Sequence, residues 1–225
     1  MAPQITNLSS KKSEKPVWSA GIILAVIAAV CTTLVALSYS LTEGRIAEND
    51  RAWLEQSLQP ALAGVVYDNN LLESTLEIPL PHELPGNEPV LVYRALLENT
   101  PVAALFVVSA LNGFSGPIKL LIGIDDTCAI TAVRVLKHRE TPGLGDFIDS
   151  SKSDWIDQFE QKSLSAPDRA LWALQTDGGK LDQVTGASIT SRAVVKAVKE
   201  TLLYFEANRE TVFAMSNSDA TDAAE

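Results

Sequence analysis

Residues 89–137 read PVLVYRALLENTPVAALFVVSALNGFSGPIKLLIGIDDTCAITAVRVLK, and the way this stretch breaks decides the fold. It holds four runs rich in Val, Ile and Leu: Pro89 to Glu98, Pro101 to Leu111, Ile118 to Ile124 and Ala129 to Lys137. The breaks fall at Asn99-Thr100, at Asn112-Gly113 to Gly116-Pro117, and at Asp125-Asp126. Aliphatic and β-branched runs favour strands, whereas Gly, Pro, Asn and Asp set turns. An antiparallel β-meander is the expected outcome.

Working upstream, Gly64 to Tyr67 and Ser74 to Ile78 are expected as short strands, followed by the linker PLPHELPG at 79–86, whose prolines exclude regular structure. Arg45 to Leu58 sets Ile46, Trp53, Leu54 and Leu58 among charges, as a helix would, and Pro60 is expected to end it. From Val17 to Leu41 there is no charged residue. Such a run, at about 1.5 Å per residue, extends roughly 37 Å and crosses a hydrocarbon core of about 30 Å with some tilt. Trp18 and Tyr39 near its ends suit the headgroup level. A cleaved signal peptide is the rival, but its apolar region is shorter, about 7 to 15 residues. Lys11, Lys12 and Lys15 before the span outnumber Arg45 and Arg51 after it, which places the N-terminus in the cytoplasm and everything beyond Thr42 outside it.

The charges are unevenly divided. Lys11, Lys12, Lys15 and Glu14 are the only ones up to residue 42, so of 18 basic and 28 acidic residues, 15 and 27 lie beyond it, a formal charge of −12. An acidic domain argues against nucleic acid or anionic lipid as ligand, since both need a basic face. Cys31 lies in the apolar span and Cys128 in a strand-like run, so no intrachain disulfide is expected. With only His82 and His138, and no clustered cysteines, no metal site is expected either.

Downstream of the meander, Ser153 to Lys162 is expected as a short helix with Trp155, Ile156 and Phe159 on one face, and Leu171 to Thr176 as a further strand. Residues 182–190 then read DQVTGASIT and run into an amphipathic helix that starts near Ser191 and continues to about Asn208. Val194, Val198, Leu202 and Phe205 form its apolar stripe, which should pack on the sheet. A Thr-Gly-Ala-Ser turn with Thr190 or Ser191 as N-cap is an ordinary way to begin a helix. A helix N-terminus also suits a phosphate, because it presents unpaired N–H groups and the positive end of the macrodipole. Gly186 and Ala187 leave the approach open. A hydroxyl fixed there would lie beside a bound phosphate. The tail from Ser216 to Glu225, small, polar and acidic, is expected to be disordered.

A second motif, HRETPGLGD at 138–146, follows directly on the last meander strand. On its own Pro-Gly-x-Gly is a tight loop. Together, however, E-T-P-G-L-G, the later D-x-x-[ST]-G-A-[ST]-x-T pattern and one N-terminal apolar span resemble the G subunit of the Rnf-type (Rsx) ion-translocating electron transport complex. More distantly the chain resembles the C subunit of the sodium-pumping NADH:quinone reductase. The His138-x-Glu140 lead-in and Asp146 look more like the Rnf branch. Ser188 stands where threonine is also common.

The resemblance implies an α+β fold: a single transmembrane helix followed by an FMN-binding domain with a curved antiparallel sheet and packed helices. The layout expected is a cytoplasmic tail at 1–16, the span at 17–41, a stalk helix and linker region at 43–88, the FMN-binding domain at 89–210 and the acidic tail at 211–225. It implies that Thr190 carries FMN through a phosphoester bond. Thr185, Gly186, Ala187 and Ser188 would wrap the phosphate and ribityl chain, and Glu140, Thr141, Leu144 and Gly145 would line the flavin site. Asp182 would serve recognition by a separate, magnesium-dependent flavin transferase that donates FMN from FAD. Trp155 and Trp172 could stack on the ring or simply pack in the core, and Lys180 could pair with the phosphate or lie in solvent.

The function implied is that of an electron-carrying subunit of a bacterial inner-membrane oxidoreductase complex that drives ion movement, in contact with other subunits and the bilayer. It would have no substrate site, catalytic residue or metal of its own. A membrane-anchored assembly subunit that never binds flavin is the alternative, beside the C-type subunit named above. A hydrolase using Ser188 or Thr190 would need a neighbouring base, and G-x-S-x-G is absent.

Overall fold

The computed structural model describes residues 17–62 and 64–214. The chain divides after Arg51 into two units. Helix α1 comprises Val17–Ala61, with Pro60 in its last turn. Within the first unit its segment Ala20–Thr42, 23 residues with none of its most apolar window buried, is long and apolar enough to cross a membrane. The expected tail at 1–16, residues 215–225 of the expected acidic tail at 211–225, and the side chains of the stalk residues 43–56 lie outside the described residues, whereas 211–213 are helical rather than disordered.

The second unit is built on five strands: β1 (Thr75–Ile78), β2 (Val90–Leu97), β3 (Thr100–Ala110), β4 (Ile118–Asp125) and β5 (Ile130–Lys137). All neighbours are antiparallel and the order in space is the order in sequence. The expected meander is therefore present, with β1 added at its edge. The hairpin between β2 and β3 turns at Glu98-Asn99, one residue earlier than the composition suggests. Both residues have positive φ (50° and 62°), the two-residue geometry that matches strand twist.

Both faces of this sheet are covered, which explains why its strands read as near-continuous apolar runs rather than as alternation. On one face lies α2 (Ser188–Phe213), whose Val194, Val198, Leu202 and Phe205 are buried in one cluster with Val92, Phe106, Leu120 and Ile122. On the other, Leu58, Ala61 and Leu62, at and just beyond the end of α1, join Leu71 against Tyr93, Leu105, Leu121 and Ala132. The Thr131 hydroxyl donates to the Ala61 carbonyl at 2.6 Å, directly above Gly123. A Cβ on Gly123 would lie 2.2 Å from Thr131 Oγ1 and 2.7 Å from that carbonyl, so the close approach requires glycine.

Three sequence expectations are corrected and one, the short helix, is specified further. Gly64 to Tyr67 is not a strand: Val65 N–H closes a turn on the Leu62 carbonyl and Gly64 takes φ +88°. Leu171 to Thr176 is not one either. Two short 3₁₀ turns, Arg169–Leu171 and Gln175–Asp177, flank a loop that satisfies its own backbone, with Lys180 N–H donating to Leu171, Leu181 N–H to Ala173, and Gln175 N–H to Leu181. Its apolar residues Trp172 and Leu174 are buried without a ladder. The expected short helix is a 3₁₀ helix, Asp154–Phe159, capped by Ser153, whose hydroxyl accepts from Trp155 N–H. Finally, α2 begins at Ser188, three residues before Ser191, and continues past a break at Asn208 (φ −121°, ψ 18°) to Phe213. The extension is held by burial of Val212 and by Phe213 packing edge-on to Phe205 with ring centroids 5.3 Å apart.

Candidate functional site

The two sequence motifs meet at the start of α2. Gly186, at φ +88°, turns the chain so that Ala187 N–H donates to Val184, and Ala187 becomes the residue before the first helical turn. Ala187 has no side chain with which to cap the helix. The N–H groups of the first turn, from Ser188 on, thus lack the usual Ser, Thr or Asp partner, the condition that favours an anion.

Neither Thr190 nor Ser191 is the cap, contrary to the sequence expectation. Their hydroxyls are engaged elsewhere: Ser191 donates to the Ala187 carbonyl at 3.2 Å, and Thr190 Oγ1 donates to Glu140 Oε2 at 2.7 Å. Thr190 is 1% exposed and Glu140 4%. The other carboxylate oxygen of Glu140 accepts Ser115 N–H at 3.1 Å. Glu140 is seated from both sides by missing side chains: a Cβ on Gly145 would lie 2.9 Å from Oε2, and one on Gly113 would lie 2.9 Å from Oε1.

The loop after Glu140 is a compact turn in which Leu144 and Gly145 N–H both donate to the Thr141 carbonyl. Gly143 at φ +75° allows it, and Asp146 accepts Gly143 N–H at 2.8 Å. Between this loop and α2 lies a pocket of ≈ 210 Å³ lined by Phe114, Glu140, Thr141, Leu144, Gly145 and residues 186–190. Its rim is apolar and open, with Phe114 65%, Leu144 47% and Ile189 50% exposed. The volume falls below the about 300 Å³ at which sites enclose most of a small ligand, so anything bound here projects outward.

Of the residues singled out from sequence, the pocket brings together Glu140, Thr141, Leu144, Gly145, Gly186, Ala187, Ser188 and Thr190. Thr185 and Asp182 do not line it; both are exposed. Asp182 is instead held both at its backbone, its carbonyl accepting Trp155 Nε1–H at 2.9 Å and its N–H donating to Gln158 Oε1 at 2.8 Å, and at its carboxylate, which accepts from the Gln175 amide. Trp172 is buried, its ring N–H donating to the Ser163 carbonyl, and neither tryptophan touches the pocket. Lys180 is not among the lining residues. His138 accepts Glu140 N–H on Nδ1 at 3.1 Å, and Thr190's hydroxyl is directed to the carboxylate instead. Next to the motif, Arg192 binds both oxygens of Asp177 (2.7 and 2.9 Å), and that hydrogen bonding, with the guanidinium charge, holds the Asp177 carboxyl below its ordinary range.

Sequence reasoning missed Phe114 and Ile189. Phe114 sits in a turn read only as a break, and Ile189 occupies a variable position of the motif; a bulky apolar residue inside an otherwise polar turn is the signal that could have marked the first.

Two family models match the chain, the RnfG N-terminal region over residues 8–60 and the FMN-binding domain over residues 113–203. Proteins named as the G subunit of the ion-translocating oxidoreductase complex are similar along most of their length. That of Pseudoalteromonas atlantica is 40% identical over 197 residues, spanning 88% of this chain and 92% of the relative. That of Pseudomonas aeruginosa is 42% identical over 193 residues, 86% and 90%. The chain belongs to the family of G subunits of ion-translocating oxidoreductase complexes.

For this family member the match to the FMN-binding domain runs from the Phe114 turn through both motif loops into α2, so every residue lining the pocket falls inside it. The apolar N-terminal helix, in a member of a membrane complex family, marks a membrane-anchored protein. The residues present fit FMN: uncapped first-turn N–H groups suit its phosphate, and an apolar, half-open rim suits one side of its ring.

Proposed function

We propose that this chain is the electron-carrying subunit of a membrane-bound ion-translocating oxidoreductase complex, and that it works through FMN joined by a phosphoester to Thr190. One observation carries the reading: the Thr190 hydroxyl, buried at the first turn of an uncapped helix, opens onto the pocket at which both motifs converge. FMN supplies one- and two-electron chemistry when bound; the chain holds it, sets its surroundings and leaves an edge accessible to partners.

In this reading the first-turn backbone at Ser188 and Ile189 receives the phosphate, with Gly186 and Ala187 leaving the approach clear and Thr185 flanking it. Leu144, Phe114 and Ile189 contact the ring, and Thr141 and Gly145 keep the opposite wall in place. Asp182, exposed and pinned by Trp155 and Gln158, is presented to a flavin transferase that draws FMN from FAD. The excess of Lys before the span supports a cytoplasmic N-terminus, with the acidic domain on the far side of the inner membrane among the other subunits of the complex.

The test is the mass of the tryptic peptide Leu181 to Arg192 from protein made together with the transferase. An FMN-sized increment on Thr190, absent from a Thr190→Val variant, is the expected result. An unmodified peptide would instead support a structural or assembly subunit that carries no flavin.

A further inference from the structure

Glu140 is an expensive residue to bury. A carboxylate loses much hydration on leaving water, and no lysine or arginine among the described residues forms an ion pair with it. It nevertheless has a prepared seat: Ser115 N–H fixes one oxygen, Gly113 and Gly145 vacate the space around both, and the remaining oxygen is aimed at Thr190 Oγ1. A threonine side chain already sharing its proton with a carboxylate at 2.7 Å is a nucleophile with its base in place. Among the described residues Glu140 is also the only ionisable side chain lining the pocket; His138 meets its backbone N–H, and Asp146 is occupied by Gly143 N–H.

We propose that Glu140 is the general base of the chain's own flavinylation, so that the transferase's substrate brings part of the catalytic apparatus with it. The inference rests on the reading that Thr190 accepts FMN. As Thr190 Oγ1 attacks the FMN-side phosphorus of FAD, its proton passes to Glu140 Oε2. The Oγ1–P bond forms, the pyrophosphate P–O bond breaks, and AMP leaves with the bonding electrons. No oxidation or reduction is involved. Because Thr190 is buried except toward the pocket, the donor must enter by the mouth between Leu144 and Ile189, where the carboxylate already waits.

Glu140→Gln separates base from shape. Gln has one acceptor oxygen where Glu140 uses two, so with Ser115 N–H satisfied it turns its NH₂ toward Thr190 and cannot take a proton. Full-length wild type and variant are incubated with the transferase, FAD and magnesium, and covalent flavin is read by peptide mass against time. Loading is expected to slow at least about 100-fold. Gly145→Ala provides a second arm that keeps the carboxylate but displaces it, since its Cβ would lie 2.9 Å from Oε2 while its backbone (φ −100°) accepts alanine. It too should load slowly at an unchanged circular dichroism spectrum, and it decides the matter if Glu140→Gln does not fold. Variants that load at the wild-type rate overturn the role of Glu140 and leave attachment at Thr190 standing. A wild-type chain that never gains the mass removes the underlying reading.

Discussion

Gly123 shows how much one missing side chain can settle. It lies mid-strand in β4, where glycine weakens a sheet, yet the Ala61 carbonyl and the Thr131 hydroxyl both occupy the volume a Cβ would need. Replacement by alanine must push the end of α1 off the sheet or break the Thr131 bond. Gly123→Ala is therefore expected to destabilise the domain by about 1–3 kcal/mol, as overpacking does; urea unfolding of the two proteins side by side measures it, and an unchanged midpoint would contradict the packing described. Nothing in the sequence announced this. A lone glycine between Ile122 and Ile124 signals a close approach but not what approaches, and its neighbour is a carbonyl more than sixty positions upstream.

Among the elements, the loop that carries the motif is tied to α2 by Arg192 and Asp177. The Asp177 carboxyl is held below its ordinary range by hydrogen bonds from Arg192, then by its charge. A carboxyl whose folded-state pKa is depressed contributes stability above its unfolded value and loses it as pH falls through the folded one. Wild type should thus melt above Asp177→Asn at neutral pH, and the gap should close on acidification below the ordinary carboxylate range. Melting curves across that range test it; a gap of constant size would exclude the linkage.

The elements also show what was legible beforehand. Strands β2 to β5 were, because aliphatic runs and turn residues alternate at strand length. The 3₁₀ segments were not, since they follow from tertiary burial of Trp172, Leu174, Ile156 and Phe159 rather than from a local period. The start of α2 was misplaced because Thr190 and Ser191 resemble caps, whereas one hydroxyl is directed to Glu140 and the other to the helix's own backbone. The two motifs were readable as sequence patterns. Their meeting, through one hydrogen bond across fifty positions, was visible only in the fold.

For the whole molecule, the division after Arg51 separates an apolar helix from a domain with its own two-faced core. A chain beginning at Ala52 should remain in the supernatant when membranes are pelleted, whereas the full chain should sediment with them and resist extraction by carbonate. A full chain released by carbonate would argue against a spanning helix.

The order of the elements carries a last implication, for timing. Because neighbouring strands are also neighbours in sequence, the sheet can zip together locally as the chain emerges, the fast kind of topology. Among the described residues helix α2 comes last, and it brings one entire wall of the pocket. A chain stalled or cut before residue 188 therefore has a sheet but nowhere to receive a cofactor. Attachment at Thr190 would then act as a proofreading step, labelling only polypeptides that have been synthesised and folded as far as α2.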